Sequence, residues 1–183
     1  MLSRGWRAAR IDRSVFREVR DDPGAVLHAV GLVAVAGISL AVGRMNALAF
    51  DEAASPDLGG LADRLIGIWI AVFSMLIGWT LWGALTYLLV GRFLGGKANL
   101  NQTLRALGIC YGPAVLLTVS PLAPGPAVEY VVWAWVLVIT VVAVRTVNEI
   151  DWLGAFFPTL MGWFVLFLIL PNFFLTSVLG RAP

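Results

Sequence analysis

Residues 91–121 read GRFLGGKANLNQTLRALGICYGPAVLLTVSP, and the reading of this stretch decides the fold. A long apolar run ends just before it. Arg92, Gly95, Gly96 and Lys97 make a cationic, glycine-containing turn, Asn99 to Arg105 is polar, and a second apolar run follows that is broken by Pro113. The apolar runs around this joint are the size of membrane helices, because about 20 apolar residues cross a bilayer. A composition of 60% hydrophobic and 13% charged residues over 183 positions points the same way.

Working outward, the pattern predicts an all-α, polytopic membrane helix bundle of about five transmembrane helices. A basic arm occupies residues 1–22 and a membrane domain residues 23–179, with spans at about 23–42, 65–90, 107–122, 127–147 and 152–175. Asp22-Pro23 is a start signal for the first span: Asp can cap and Pro fits the first turn. Gly37-x-x-x-Ala41 and Ser39-x-x-x-Gly43 offer small faces for close helix packing, which places this span inside the bundle. The first apolar run follows a charged stretch and has no small-residue cleavage site after it, so a retained helix is expected.

In the second span, Trp69 and Tyr87 are expected as interface anchors, and the deeper Trp79 and Trp82 as contacts to other helices. The third, interrupted by Gly108, Gly112, Pro113 and Pro121, should lie centrally, because broken backbone in a membrane must be satisfied by protein or water. It could cross or re-enter. The fourth, rich in Val, Ile and Leu and free of glycine, reads as a lipid-facing wall. Glu149 is four residues beyond Arg145, the spacing of a helix-surface ion pair.

In the arm, six arginines alternate with apolar residues. Leu2, Trp6, Ala9 and Phe16 share one side of a helical wheel, and Ile11, Val15 and Val19 form a narrower stripe. This reads as an interfacial helix on an anionic leaflet, with Arg4, Arg7, Arg10, Arg13 and Arg17 at headgroups and Trp6 and Phe16 in lipid. A solvated tail whose arginines only fix orientation is the alternative. With an N-terminus inside, that side holds the six arm arginines, Arg92, Lys97, Arg105 and Arg145, against Arg44, Arg64 and Arg181 outside. The positive-inside rule then expects a cytoplasmic N-terminus and an outside C-terminus, and the localisation expected is a bacterial-type cytoplasmic membrane.

The chemistry-bearing motifs are absent. No HExxH, GxSxG, phosphate-loop or paired-cysteine pattern occurs, so no catalytic residue, metal ligand or cofactor is expected. The Gly91, Gly95, Gly96 cluster lacks a strand–turn–helix setting and reads as a tight turn. The lone His28 is read as hydrogen-bonded or headgroup-facing, and the acidic loop around Asp51, Glu52, Asp57 and Asp63 as solvated. The single Cys110 excludes an internal disulfide, and a net charge of +2 does not suggest nucleic acid. Span centres nearly free of ionisable groups argue against ion-coupled transport.

Leu94-Gly95-Gly96-Lys97, Gln102-Thr-Leu-Arg-Ala-Leu-Gly108 and Tyr111-x-Pro113, with Asp21-Asp22-Pro23 at the entry to the first span, resemble the Yip-domain family. These are five-span membrane proteins named for interacting with Ypt/Rab GTPases. The resemblance covers roughly residues 12–175 and makes Gly95, Gly96, Lys97, Arg105, Gly108, Tyr111 and Pro113 the structural or functional candidates. Two departures bear on Rab binding: the arm is short, and Tyr111 is not preceded by the Asp-Leu of the eukaryotic pattern. The chain is similar instead to short prokaryotic members. The expected function is a non-enzymatic membrane scaffold or shaping protein, with anionic lipid headgroups and a membrane-protein partner or a second copy as partners. The alternatives are an auxiliary subunit of a larger membrane complex and a permease-like carrier.

Overall fold

The structure, a computed structural model, describes residues 1–50, 61–122 and 127–164. Among these residues the chain is helical with no strand. Seven α-helices, α1 (Leu2–Ala9), α2 (Arg13–Asp21), α3 (Ala25–Phe50), α4 (Leu61–Phe93), α5 (Leu100–Ile109), α6 (Ala127–Asn148) and α7 (Trp152–Phe164), are joined by a 3-10 helix over Gly112–Leu122 between α5 and α6. Three stretches are long and apolar enough to cross a membrane: Ala25–Asn46, Arg64–Phe93 and Ala127–Asn148.

A further apolar pair, α5 and the 3-10 helix, is bent by 42° and forms either a broken span or a re-entrant loop. Its lengths show that a crossing would need both parts. Ten α-helical residues rise about 15 Å and eleven 3-10 residues about 22 Å, so neither alone covers a hydrocarbon core of about 30 Å. Pro113 accounts for the change of helix type, since it has no N–H to donate and its ring crowds the preceding turn. The helix also starts earlier than the expected 107–122. Asn99 and Gln102 close a reciprocal capping box, each side chain accepting the other's backbone N–H at 2.9 Å, so the polar segment is itself helical. Of the expected fifth span, 152–175, α7 accounts for the part up to Phe164. The rest lies outside the described residues, as do Asp51, Glu52 and Asp57 of the acidic loop.

α3 packs against α4, α5 and the 3-10 helix. Its small residues permit this: a Cβ on Gly37 would stand 2.8 Å from the Val72 Cα, and one on Gly43 would meet the Leu117 carbonyl and the Ser120 hydroxyl. In lipid, where apolar burial gives helices no net drive to associate, such close backbone approach supplies the dispersion contact. The deep tryptophans also meet other helices. Trp79 donates to the Leu104 carbonyl at 3.1 Å and Trp82 to the Thr159 carbonyl at 3.0 Å.

Two expectations are corrected. α6 is the more enclosed of the last two uninterrupted spans, with 50% of its apolar window buried against 28% for α4. The outer wall is therefore α4, whose Ile66, Trp69, Ile70, Phe73, Ile77 and Leu81 stay exposed at helical spacing. α6 is covered because the arm, α5, the 3-10 helix and α7 all pack on it. The arm, in turn, is two short helices and not one. The chain turns at Ile11, which takes a positive φ of 59°, and Asp12 then caps α2.

Candidate functional site at the cationic end of the bundle

The arm, the α4–α5 loop and the α6–α7 corner meet at one end of the bundle. α1 lies across the start of the 3-10 helix. Its Gly5 faces Gly112 so closely that a Cβ on Gly112 would stand 2.9 Å from the Gly5 carbonyl carbon. The Trp135 indole donates to the Ala9 carbonyl at 3.1 Å. α2 buries Val15, Phe16 and Val19 against Ala106, Ile109, Val142, Ala143 and Val147. Phe16, expected in lipid, is thus fully buried inside the protein, because the turn at Ile11 rotates its face onto α5 and α6. Trp6 remains 66% exposed and Leu2 69%, on the outer side of α1.

The arm arginines sort into two groups. Arg4 pairs with Glu18 at 2.9 Å and Asp22 at 2.8 Å, and donates to the His28 Nδ1 at 2.9 Å. Arg7 pairs with Asp12 at 2.9 Å and Glu18 at 2.8 Å, and Arg20 with Asp21 at 3.1 Å and Glu149 at 3.2 Å. Lys97 completes the set at 2.7 Å from Glu149. Arg10, Arg13, Arg17 and Arg92 are exposed and have no carboxylate partner among the described residues. Arg4 and Arg7, expected at headgroups, are therefore drawn into ion pairs within the protein.

These contacts hold the carboxyls in the charged form. Hydrogen bonds from the Ser14 hydroxyl, Arg7 and the Ser14 amide bring Asp12 down to about 2. The Arg7 hydrogen bond lowers Glu18, Arg4 lowers Asp22, and Lys97 followed by Arg20 lowers Glu149. The pairs are mostly solvated, so each contributes little by itself. Their effect is to fix where the arm lies.

Glu149 does not pair with Arg145. It sits past the end of α6 with a φ of 57°, which turns its side chain out of helical register and toward Lys97 and Arg20. The Arg145 guanidinium instead covers the Trp152 ring at 4.4 Å, and Arg13 approaches the same ring at 6.0 Å.

The loop is held from below. Gly95 takes a φ of +66°, the left-handed conformation that glycine adopts without Cβ strain. Gly96 then packs on Asn148, where a Cβ would stand 2.6 Å from the side-chain oxygen. That oxygen accepts the Ala98 amide at 3.2 Å, while the Asn148 Nδ2 donates to the Val144 carbonyl at 3.0 Å. Arg105 is only 7% exposed. It donates through Nε to the Asn101 carbonyl at 3.1 Å and through its terminal nitrogen to the Asp22 carbonyl. One buried guanidinium thereby ties the start of α5 to the Asp22-Pro23 entry of α3. Gly108 completes this joint, with room for no Cβ against Ala29.

Gly95, Gly96, Lys97, Arg105 and Gly108 are thus gathered with the arm, whereas Tyr111 and Pro113 are not. Both are buried deeper in the bundle. The Tyr111 ring packs edge-on to Trp82 and Trp133, at 6.3 and 6.1 Å, and its hydroxyl has no hydrogen-bond partner among the described residues. Asn148, Glu149, Trp152 and Gly5 were not singled out by sequence reasoning as site residues. The capping pair Asn99 and Gln102 carried a readable signal, the three-residue Asn-x-x-Gln spacing ahead of an apolar run. Asn148 had none, because its role depends on a loop fifty residues away.

Comparison with curated proteins and with solved structures gives no significant match. The family model of the Yip1 domain matches residues 9–172. That range takes in α2, the Asp22 entry, the α4–α5 loop, the bent pair and the α6–α7 corner, and the chain accordingly belongs to the Yip1 domain family of membrane proteins.

Proposed function

We propose that this protein is a non-enzymatic membrane scaffold whose cationic end rests on an anionic leaflet and organises the membrane or partner proteins there. The observation that carries the reading is the sorting of charge. Arg4, Arg7, Arg20 and Lys97 take up Asp12, Glu18, Asp21, Asp22 and Glu149, while Arg10, Arg13, Arg17 and Arg92 are left exposed and, among the described residues, without a carboxylate. Each such cation near an anionic surface is worth about 1 kcal/mol at moderate salt.

The outer side of α1 supports it: Trp6 and Leu2 lie exposed beside the arm arginines, and an exposed indole with an apolar neighbour suits a membrane–water interface. In this reading the N-terminus is cytoplasmic, the C-terminus outside, and the membrane a bacterial-type cytoplasmic one.

The test is lipid selectivity of the protein in mixed vesicles of phosphatidylcholine and phosphatidylglycerol, read with spin-labelled lipids. A preference for phosphatidylglycerol that fades from 0.05 to about 0.5 M salt, as screening shortens the Debye length, is expected. Equal selectivity for both lipids at low salt sinks the reading.

A second reading, an auxiliary subunit of a larger membrane complex, draws on the exposed stripe of α4. Co-purification in mild detergent tests it, and a monomer or homodimer without a stoichiometric partner counts against it. A carrier path along the bent pair has no such support, since Tyr111 and Pro113 are buried and Gly112 is closed off by Gly5.

A further inference from the structure

Two arginines from distant parts of the chain converge on one indole. Arg13 comes from α2, Arg145 from the last turn of α6, and Trp152 opens α7. Among the described residues neither guanidinium has a carboxylate partner, and the buried Nε–H of Arg145 has no acceptor. Of the acids near these residues in sequence, Asp12 is held by Arg7 and Ser14 and Glu149 by Lys97 and Arg20, while Asp151 accepts the Gly154 amide and pairs with no cation among the described residues. Two like charges near one ring repel each other, and a shared anion at their terminal nitrogens would lessen that repulsion.

We propose that Arg13, Arg145 and Trp152 form a binding site for a phosphate group. Guanidinium planes suit phosphate because they present paired N–H donors, and the indole holds one plane in place. A lipid headgroup and a free phosphate both offer this group, and the guanidinium donors recognise it in either. The proposal rests on the same exposed end of the bundle as the scaffold reading, but it names one place on it.

The experiment uses the full chain in neutral detergent, titrated with dioleoyl phosphatidylglycerol, dioleoyl phosphatidylcholine or inorganic phosphate and followed by native mass spectrometry and thermal stability. Phosphatidylglycerol should bind at least tenfold more tightly than phosphatidylcholine. R13Q/R145Q should cut that affinity at least tenfold, R145K about threefold, and the control R10Q/R17Q less than twofold. Displacement of the lipid by millimolar inorganic phosphate assigns the site to phosphate from either source, and resistance to displacement assigns it to the lipid. Should R145Q disturb folding, R13Q alone carries the test, because Arg13 lies on the exposed face of α2. Retention of both lipid and phosphate binding within twofold in a folded R13Q/R145Q variant overturns the proposal. Equal losses in R10Q/R17Q and R13Q/R145Q also overturn it, and they leave the scaffold reading standing as a matter of diffuse charge.

Discussion

α4 and α6 are both long, apolar, tryptophan-containing spans, yet the protein uses them in opposite ways. α4 presents a stripe from Ile66 to Leu81 outward, whereas α6 buries Val136, Ile139, Thr140 and the run Val141 to Val144. Both contain side chains that lipid would accept. The difference is what arrives beside them: α6 has the arm on one side and the bent pair and α7 on others. In a membrane, apolarity states that a helix can span and leaves open which of its faces meets protein.

Four measurements sharpen or break that contrast. The largest effect is expected where the bent pair meets α3. Gly108→Leu must push backbone away from Ala29 and should cost about 3 kcal/mol or more, seen as loss of the monodisperse peak in detergent. Next come matched truncations on the two spans. Ile139→Ala on α6 should destabilise by about 2 kcal/mol and Ile70→Ala on α4 by under about 0.5, compared by reversible unfolding in mixed micelles. Equal costs would remove the distinction between wall and core.

Asn148→Ala is expected to cost roughly 1–2 kcal/mol, because the Ala98 amide loses its buried acceptor, and to speed amide exchange in the Lys97–Asn99 loop. Val138→Ala, on the exposed side of the same helix, should leave that exchange unchanged.

The smallest effect is acid release of the arm. Asp12, Glu18, Asp22 and Glu149 all have folded-state values below their ordinary ones. Their contribution is therefore complete above the ordinary carboxylate range and is lost as pH falls through the depressed values, from about 4.5 down to about 2. Proteolysis within residues 1–22 should accelerate over that window, while α4, which takes no part in these pairs, stays as resistant as at neutral pH. Acceleration that begins above pH 6 would refute the assignment to carboxylates.

Much of the architecture was legible in the residues. The spans of α3, α4 and α6, the small faces of α3 at Gly37 and Gly43, and the inward roles of Trp79 and Trp82 follow from length, residue size and the needs of an indole N–H. The break near Pro113 followed from proline's missing donor. The candidate site was only half legible. Gly95, Gly96, Lys97, Arg105 and Gly108 could be named from the motifs that resemble the family, yet nothing local said that Arg105 reaches the Asp22 carbonyl or that Asn148 holds the loop. Phe16 and the pairing of Arg145 with Glu149 were misread for one reason. A helical wheel and an i,i+4 rule both assume an unbroken helix, and Ile11 and Glu149 leave the helical register by adopting positive φ.

By itself, then, the amino-acid order determined that this chain is a membrane-spanning helical bundle with its positive charge gathered at one end, because hydropathy and charge act on each segment alone. Only the tertiary structure decided which span is wall and which is core, which arginines are consumed by carboxylates, and that Arg13 and Arg145 share Trp152. Those outcomes depend on partners separated by tens to more than a hundred residues, and no local pattern records who the neighbour will be.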